Sequence, residues 1–277
     1  MRVANNRVFP GIGRCIYCGS TEGLSREHII AFSLGGDFII QSASCPDCSK
    51  VTRQEELWCA RGIFGPLRLA HRFPTRHKHE RPDYIEVEIT KGGKTERVKV
   101  PIDEAPTTPV PAPVFPEAGI LVGREPSEEI PGIQYQLIFP HPPDHDERLA
   151  RFKKDGATQV KVNVGWGLNA FMCMLAKIGH GFATVAHANR FTPLLPDYIL
   201  DRDRRLGHVI GCPGLPVSIP ADETAIHAWQ VGIRSIRGKH YVAVMLHLFR
   251  YLNFPVYEII AGEAAPELVE EVARLSG

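Results

Sequence analysis

The sequence predicts an α+β protein in which a small cysteine-held module precedes a mixed α+β region with antiparallel strands. Three observations carry that expectation. Two Cys-x-x-Cys pairs, Cys15/Cys18 and Cys45/Cys48, stand near the start of the chain. Alternating runs joined by glycine-bearing turns read as hairpins, one through Tyr84–Ile89, Gly92-Gly93 and Arg97–Val100, another through Ala225–Ile236, Arg237–Lys239 and His240–Phe249. Leu168 to Asn189 carries Phe171, Leu175, Ile178, Phe182 and Val185 near helical spacing.

The cysteine spacing points to one metal. Each Cys-x-x-Cys pair occupies a tight turn that presents two sulfurs, and four thiolates suit a tetrahedral Zn2+. Four protein ligands leave no open position, so the zinc is expected to be structural. With 277 residues, 44% hydrophobic and 23% charged, the chain has material for one large domain or two smaller ones. No apolar run approaches the roughly 18 to 20 residues of a membrane helix, and the opening MRVANNRVFPGIGR lacks the apolar centre of a signal peptide. A cytoplasmic protein with no membrane contact is expected, its cysteines reduced and Cys59, Cys173 and Cys212 serving as small core residues or unpaired thiols.

Taken in order, residues 1 to 14 read as an extended lead-in and Cys15 to Gly19 as the first metal turn. Arg26 to Phe32 reads as a strand, Leu34-Gly35-Gly36-Asp37 as a hairpin turn and Phe38 to Ile40 as its return. A second metal turn at Cys45 leads into a helix from about Lys50 to Arg61 that carries Glu55 and Glu56. A further helical stretch breaks near Gly65-Pro66. The expected order around the cysteines is strand, turn, strand, helix.

Cys15-Ile16-Tyr17-Cys18, Glu27-His28-Ile29-Ile30, Leu34-Gly35-Gly36 and Cys45-Pro46-Asp47-Cys48, in that order, resemble the zinc-stabilised HNH endonucleases. The likeness covers about 45 residues. It implies a ββα-metal, treble-clef-like module, metal-dependent hydrolysis of phosphodiester bonds in DNA, His28 as general base and Glu27 as ligand of a catalytic Mg2+ or Mn2+, distinct from the thiolate zinc. Two positions depart from the family pattern. An Asn is common a few residues before the third cysteine, and a His or Asn directly after the fourth. Here the first region reads Ile40-Gln41-Ser42-Ala43-Ser44, the second position is Ser49, and no Asn occurs between Glu27 and Ala60. Gln41 is then the candidate to orient the base and Ser49 the candidate to reach the metal through its hydroxyl. Glu55 or Glu56 is an alternative oxygen donor, and being adjacent on a helix only one of them can face the site. Two other readings fit the same residues: a zinc-dependent nucleic-acid-binding module with weakened catalysis, and a zinc-stabilised protein-interaction protein.

Charge follows the cysteine segment. Residues 1 to 82 hold 12 Lys/Arg against 7 Asp/Glu within a chain whose net charge is +1. Arg68, Arg72, Arg76, Lys78 and Arg81, interleaved with His71, His77 and His79, form a candidate phosphate-facing strip for a DNA partner. The expected organisation is therefore the module with its basic extension over 1–82, a hairpin and Pro-rich linker or edge over 83–116, and an α+β domain over 117–277. In that last part Gln134–Phe139 and Gln159–Val164 read as strands, Asp146–Asp155 as a short helix, Val256–Ile260 as a strand and Pro266–Leu275 as a terminal amphipathic helix. His180, His187, His227, His240 and His247 have no acidic or thiol partner at ligand spacing and read as packed or surface histidines, and Trp166, Trp229, Tyr241 and Tyr251 read as core aromatics.

Overall fold

The computed structural model describes residues 7–75, 82–141, 144–162, 165, 167–215, 217–220 and 225–276. Arg76 to Arg81 and Trp166, named above, lie outside them.

The cysteine-bearing segment builds a three-stranded sheet and a helix. β1 (Arg7–Phe9) pairs parallel with β3 (Phe38–Ser44), which pairs antiparallel with β2 (Ser25–His28), and α1 (Pro46–Arg61) follows. Part of the expected extended lead-in is thus a paired strand. The expected strand over Arg26–Phe32 ends at His28, and the chain turns through a short 3-10 segment at Phe32–Leu34. Gly35 does not form a two-residue hairpin turn with Gly36. It closes the 3-10 turn in the left-handed region at φ +85°, while Gly36 presses on the chain, since a Cβ there would fall 2.1 Å from the Ile30 carbonyl oxygen. The paired glycines mark close packing in a wide loop. α1 begins four residues earlier than expected because Pro46 fits the first helical position, where its missing N–H costs nothing. α2 (Gly65–Ala70) restarts at the expected Gly65-Pro66 break.

β4 (Tyr84–Lys91) and β5 (Lys94–Pro101) form the first expected hairpin across Gly92-Gly93. The proline-rich stretch contains β6 (Val110–Val114), whose Val110 and Ala112 are fully buried. Pro111 and Pro113 lack N–H donors, which suits a strand that pairs on one side only, here with β7. After α3 (Gly119–Val122), β7 (Gln134–Ile138) pairs antiparallel with β6. α4 (His145–Lys154) leads to β8 (Gln159–Val162), which completes the sheet β5-β4-β8.

α5 (Leu168–His187) is the central helix, buried on all sides from Phe171 to Thr184. Gly179 and Gly181 allow its close approach to Ile259 and Ile29, where added Cβ atoms would stand 2.5 and 3.0 Å from those side chains. β9 (Phe191–Pro193), α6 (Pro196–Ile199) and β10 (Ile210–Gly211) lead to the long strands β11 (Ala228–Ile236), β12 (Lys239–His247) and β13 (Val256–Ala264). These pair in the order β10-β13-β12-β11, with β9 also on β13, and α7 (Pro266–Ser276) closes the chain.

One buried core runs through both the cysteine segment and the C-terminal region. Phe64, after α1, packs its ring 6.0 Å from that of Phe171 and 5.1 Å from that of Phe249, and Trp229 lies 4.3 Å from Phe182 and 5.8 Å from Phe38. A separate small cluster, Val87, Ile89, Val100 and Ala105, sits under β4 and β5. Among the described residues no helix is long and apolar enough to cross a membrane.

Candidate metal centre and adjoining cleft

Four sulfurs converge at one end of the first sheet. The turn carrying Cys15 and Cys18 is closed by the Gly19 N–H on the Cys15 carbonyl at 2.9 Å, and the Ile16 N–H reaches Ala43 of β3 at 2.9 Å. Cys45 caps α1, and Cys48 lies in its first turn. The sulfurs of Cys15, Cys18, Cys45 and Cys48 all lie within 4.8 Å of one another. Sulfurs held tetrahedrally about 2.3 Å from one zinc stand about 3.8 Å apart, and Cys18 Sγ is 3.6 Å from Cys45 Sγ. The Cys48 N–H, at the positive end of α1, lowers the Cys45 thiol below its ordinary value. The donor set fits a four-coordinate metal such as zinc, with no position left for a substrate.

Beside this centre lies a cleft of about 720 Å3 between β2, the following loop and α1. Glu27, His28 and Ser49 line it, together with Glu56 and four arginines, Arg26, Arg53, Arg61 and Arg68. Arg68 is held in place by Nε donating to the Ser33 carbonyl at 2.9 Å and Nη1 to the Ala60 carbonyl at 2.8 Å. Gln41 is not in the lining. Its side-chain oxygen accepts from Arg26 Nε at 3.1 Å on the exposed side of the sheet. Of the two helix carboxylates, Glu56 faces the cleft, while Glu55 is turned elsewhere and raised by burial and by Asp201. Of the basic strip, Arg68 reaches the cleft, Arg72 pairs with Asp103 at 2.8 Å, and His71 is lowered by burial against Tyr251 and Phe73.

The residue that sequence reasoning missed is Lys177. It projects from the middle of α5, 2% exposed, with Nζ 2.7 Å from Glu27 Oε1 and 2.6 Å from Glu56 Oε1. The same ammonium donates to the Ile29 carbonyl at 3.2 Å and to the His28 carbonyl. Burial alone would lower the lysine, but the Glu27 and Glu56 charges prevail and hold it above its ordinary value. Tyr17 is buried beside the pair and pushed far up by desolvation and by both carboxylates. The signal for Lys177 was present but weak: one cation among Met174, Leu175, Ala176 and Ile178 in an otherwise apolar helix. A Mg2+ or Mn2+ ion on Glu27 does not fit this arrangement, because the carboxylate is buried and its charge is already taken up by the lysine.

Two of the histidines named above, His180 and His227, bond the main chain of the cysteine-bearing segment. His180 Nε2 bonds the Ile16 carbonyl at 2.6 Å, and His227 Nε2 donates to the Leu34 carbonyl at 2.9 Å while its Nδ1 accepts the Phe249 N–H. No protein-family model, curated protein or solved structure matches this chain.

Proposed function

We propose that the chain is a zinc-stabilised, HNH-type phosphodiesterase acting on DNA, with His28 as general base. The observation that carries this reading is the cleft itself, where His28 and four arginines line one concave surface next to the four-sulfur centre. The order β2, β3, α1 around the cysteine pairs supports it. Arginine guanidiniums bind phosphate oxygens and carry the charge that develops on a phosphate under attack. His28, at the end of β2, is of the residue type that takes a proton from water near neutral pH. Ser49, at the start of α1, can hydrogen-bond a phosphate or its attacking water.

A second reading, a nucleic-acid-binding module with little turnover, is favoured by the pairing of Glu27 with Lys177. One experiment separates them. Zinc-loaded protein is incubated with supercoiled plasmid in Mg2+, in Mn2+ and in EDTA, beside His28→Ala. Nicking reduced by about 10²-fold or more in the variant is the expected result for a general base. Plasmid retardation without nicking under any of these conditions selects the binding module.

A further inference from the structure

Resting on the reading of the cleft as a phosphodiester site, we infer that Lys177 is a positioning residue that stands in for the divalent cation beside Glu27. Its ammonium holds the Glu27 and Glu56 carboxylates together and clamps the main chain at the base His28. Four oxygens surround Nζ, two from carboxylates and two from the His28 and Ile29 carbonyls. Such a shell, hard and anionic, is the kind a small divalent ion takes, and here the three N–H donors of the lysine are shared among its oxygens. An ion about 2.1 Å from Glu27 Oε1 would meet an ammonium already 2.7 Å from the same oxygen. The carboxylate charge that would draw the ion in is already neutralised by the lysine.

The lysine is delivered by a rigid element. α5 packs on α1, which carries Glu56, and Gly181 brings α5 against Ile29, one residue beyond the base. Helix α5 thereby sets the spacing between β2 and α1 at the cleft floor. The charge that a metal-dependent site would recruit from solution is here encoded about 150 residues downstream of Glu27.

The test reads metal rather than cleavage, so a failed nicking assay and a failed lysine assignment show separately. Mn2+ binding to zinc-loaded full-length protein is measured by electron paramagnetic resonance for wild type, Glu27→Gln, Lys177→Met and the Lys177→Met/Glu27→Gln double variant. Wild type and Glu27→Gln are expected to take up Mn2+ alike. Lys177→Met is expected to gain one site per chain, at least about ten-fold tighter than any in wild type, and the double variant to lose it. A wild-type Mn2+ site weakened ten-fold or more by Glu27→Gln overturns the inference, as does a folded Lys177→Met with no gain. Should Lys177→Met not fold, the comparison of wild type with Glu27→Gln decides alone.

Discussion

At the scale of single residues, the decisive feature is a cation desolvated between two carboxylates. A buried ion pair adds little net stability, because desolvation offsets the attraction, but removing one partner leaves uncompensated charge. Lys177→Met is therefore expected to cost about 3–5 kcal/mol in urea unfolding. Adding Glu27→Gln and Glu56→Gln to it should recover much of that loss. The lysine also sets a pH limit. Its folded pKa lies above the ordinary 10.5, so its contribution is fully present below pH 10.5 and fades as pH rises through the higher folded value. The four cysteines make a separate prediction. Cys15→Ser or Cys45→Ser should abolish stoichiometric metal in elemental analysis and lower the melting temperature sharply, since ligand binding and folding are coupled at such sites.

At the scale of elements, the loop between β2 and β3 is held by contacts that tolerate no added atom. Gly36→Ala would drive a Cβ into the Ile30 carbonyl, and a loss of about 1–3 kcal/mol is expected in thermal or urea unfolding, with metal content unchanged. The same loop is tied by His227 to the chain entering β11. Burial pushes that imidazole down to about 4, with the Leu34 carbonyl opposing the shift. The folded state thus resists the proton that the unfolded chain accepts near pH 6.5. The contribution, roughly 3 kcal/mol for a shift of this size, is complete above pH 6.5 and is lost as pH falls toward 4. Urea midpoints measured across that window should fall with pH, and His227→Gln should flatten the slope.

At the scale of the whole molecule, the cysteine segment borrows its interior from the C-terminal region. Phe64 packs on Phe171 and Phe249, His180 bonds the chain between Cys15 and Cys18, and Lys177 neutralises the floor of the cleft. A fragment of residues 1–82 loses all of these partners. It is expected to bind zinc yet show no cooperative melt by circular dichroism, whereas the full chain melts cooperatively. A sharp transition in the fragment, at the temperature of the full chain, would show that the segment is independent.

Local chemistry was readable from the chain alone because its determinants are neighbours in sequence. The cysteine turns, the Gly92-Gly93 hairpin, the break at Gly65-Pro66, the helix from Leu168 and the hairpin at Gly238 depend on spacing, turn residues and periodicity, which the sequence displays directly. Adjacency on a helix likewise meant that only one of Glu55 and Glu56 could share a face with Ser49's end of the cleft, and the lining includes Glu56 and not Glu55. Tertiary structure decided what those patterns could not carry. It chose Glu56, set Gln41 outside the cleft, made an edge strand from a proline-rich stretch, and brought four arginines to one surface. Above all it placed Lys177 on Glu27. An ion pair between residues so far apart in the chain leaves no local pattern, because its geometry comes from the packing of α5 on α1 and β2 and not from any property of the residues beside it.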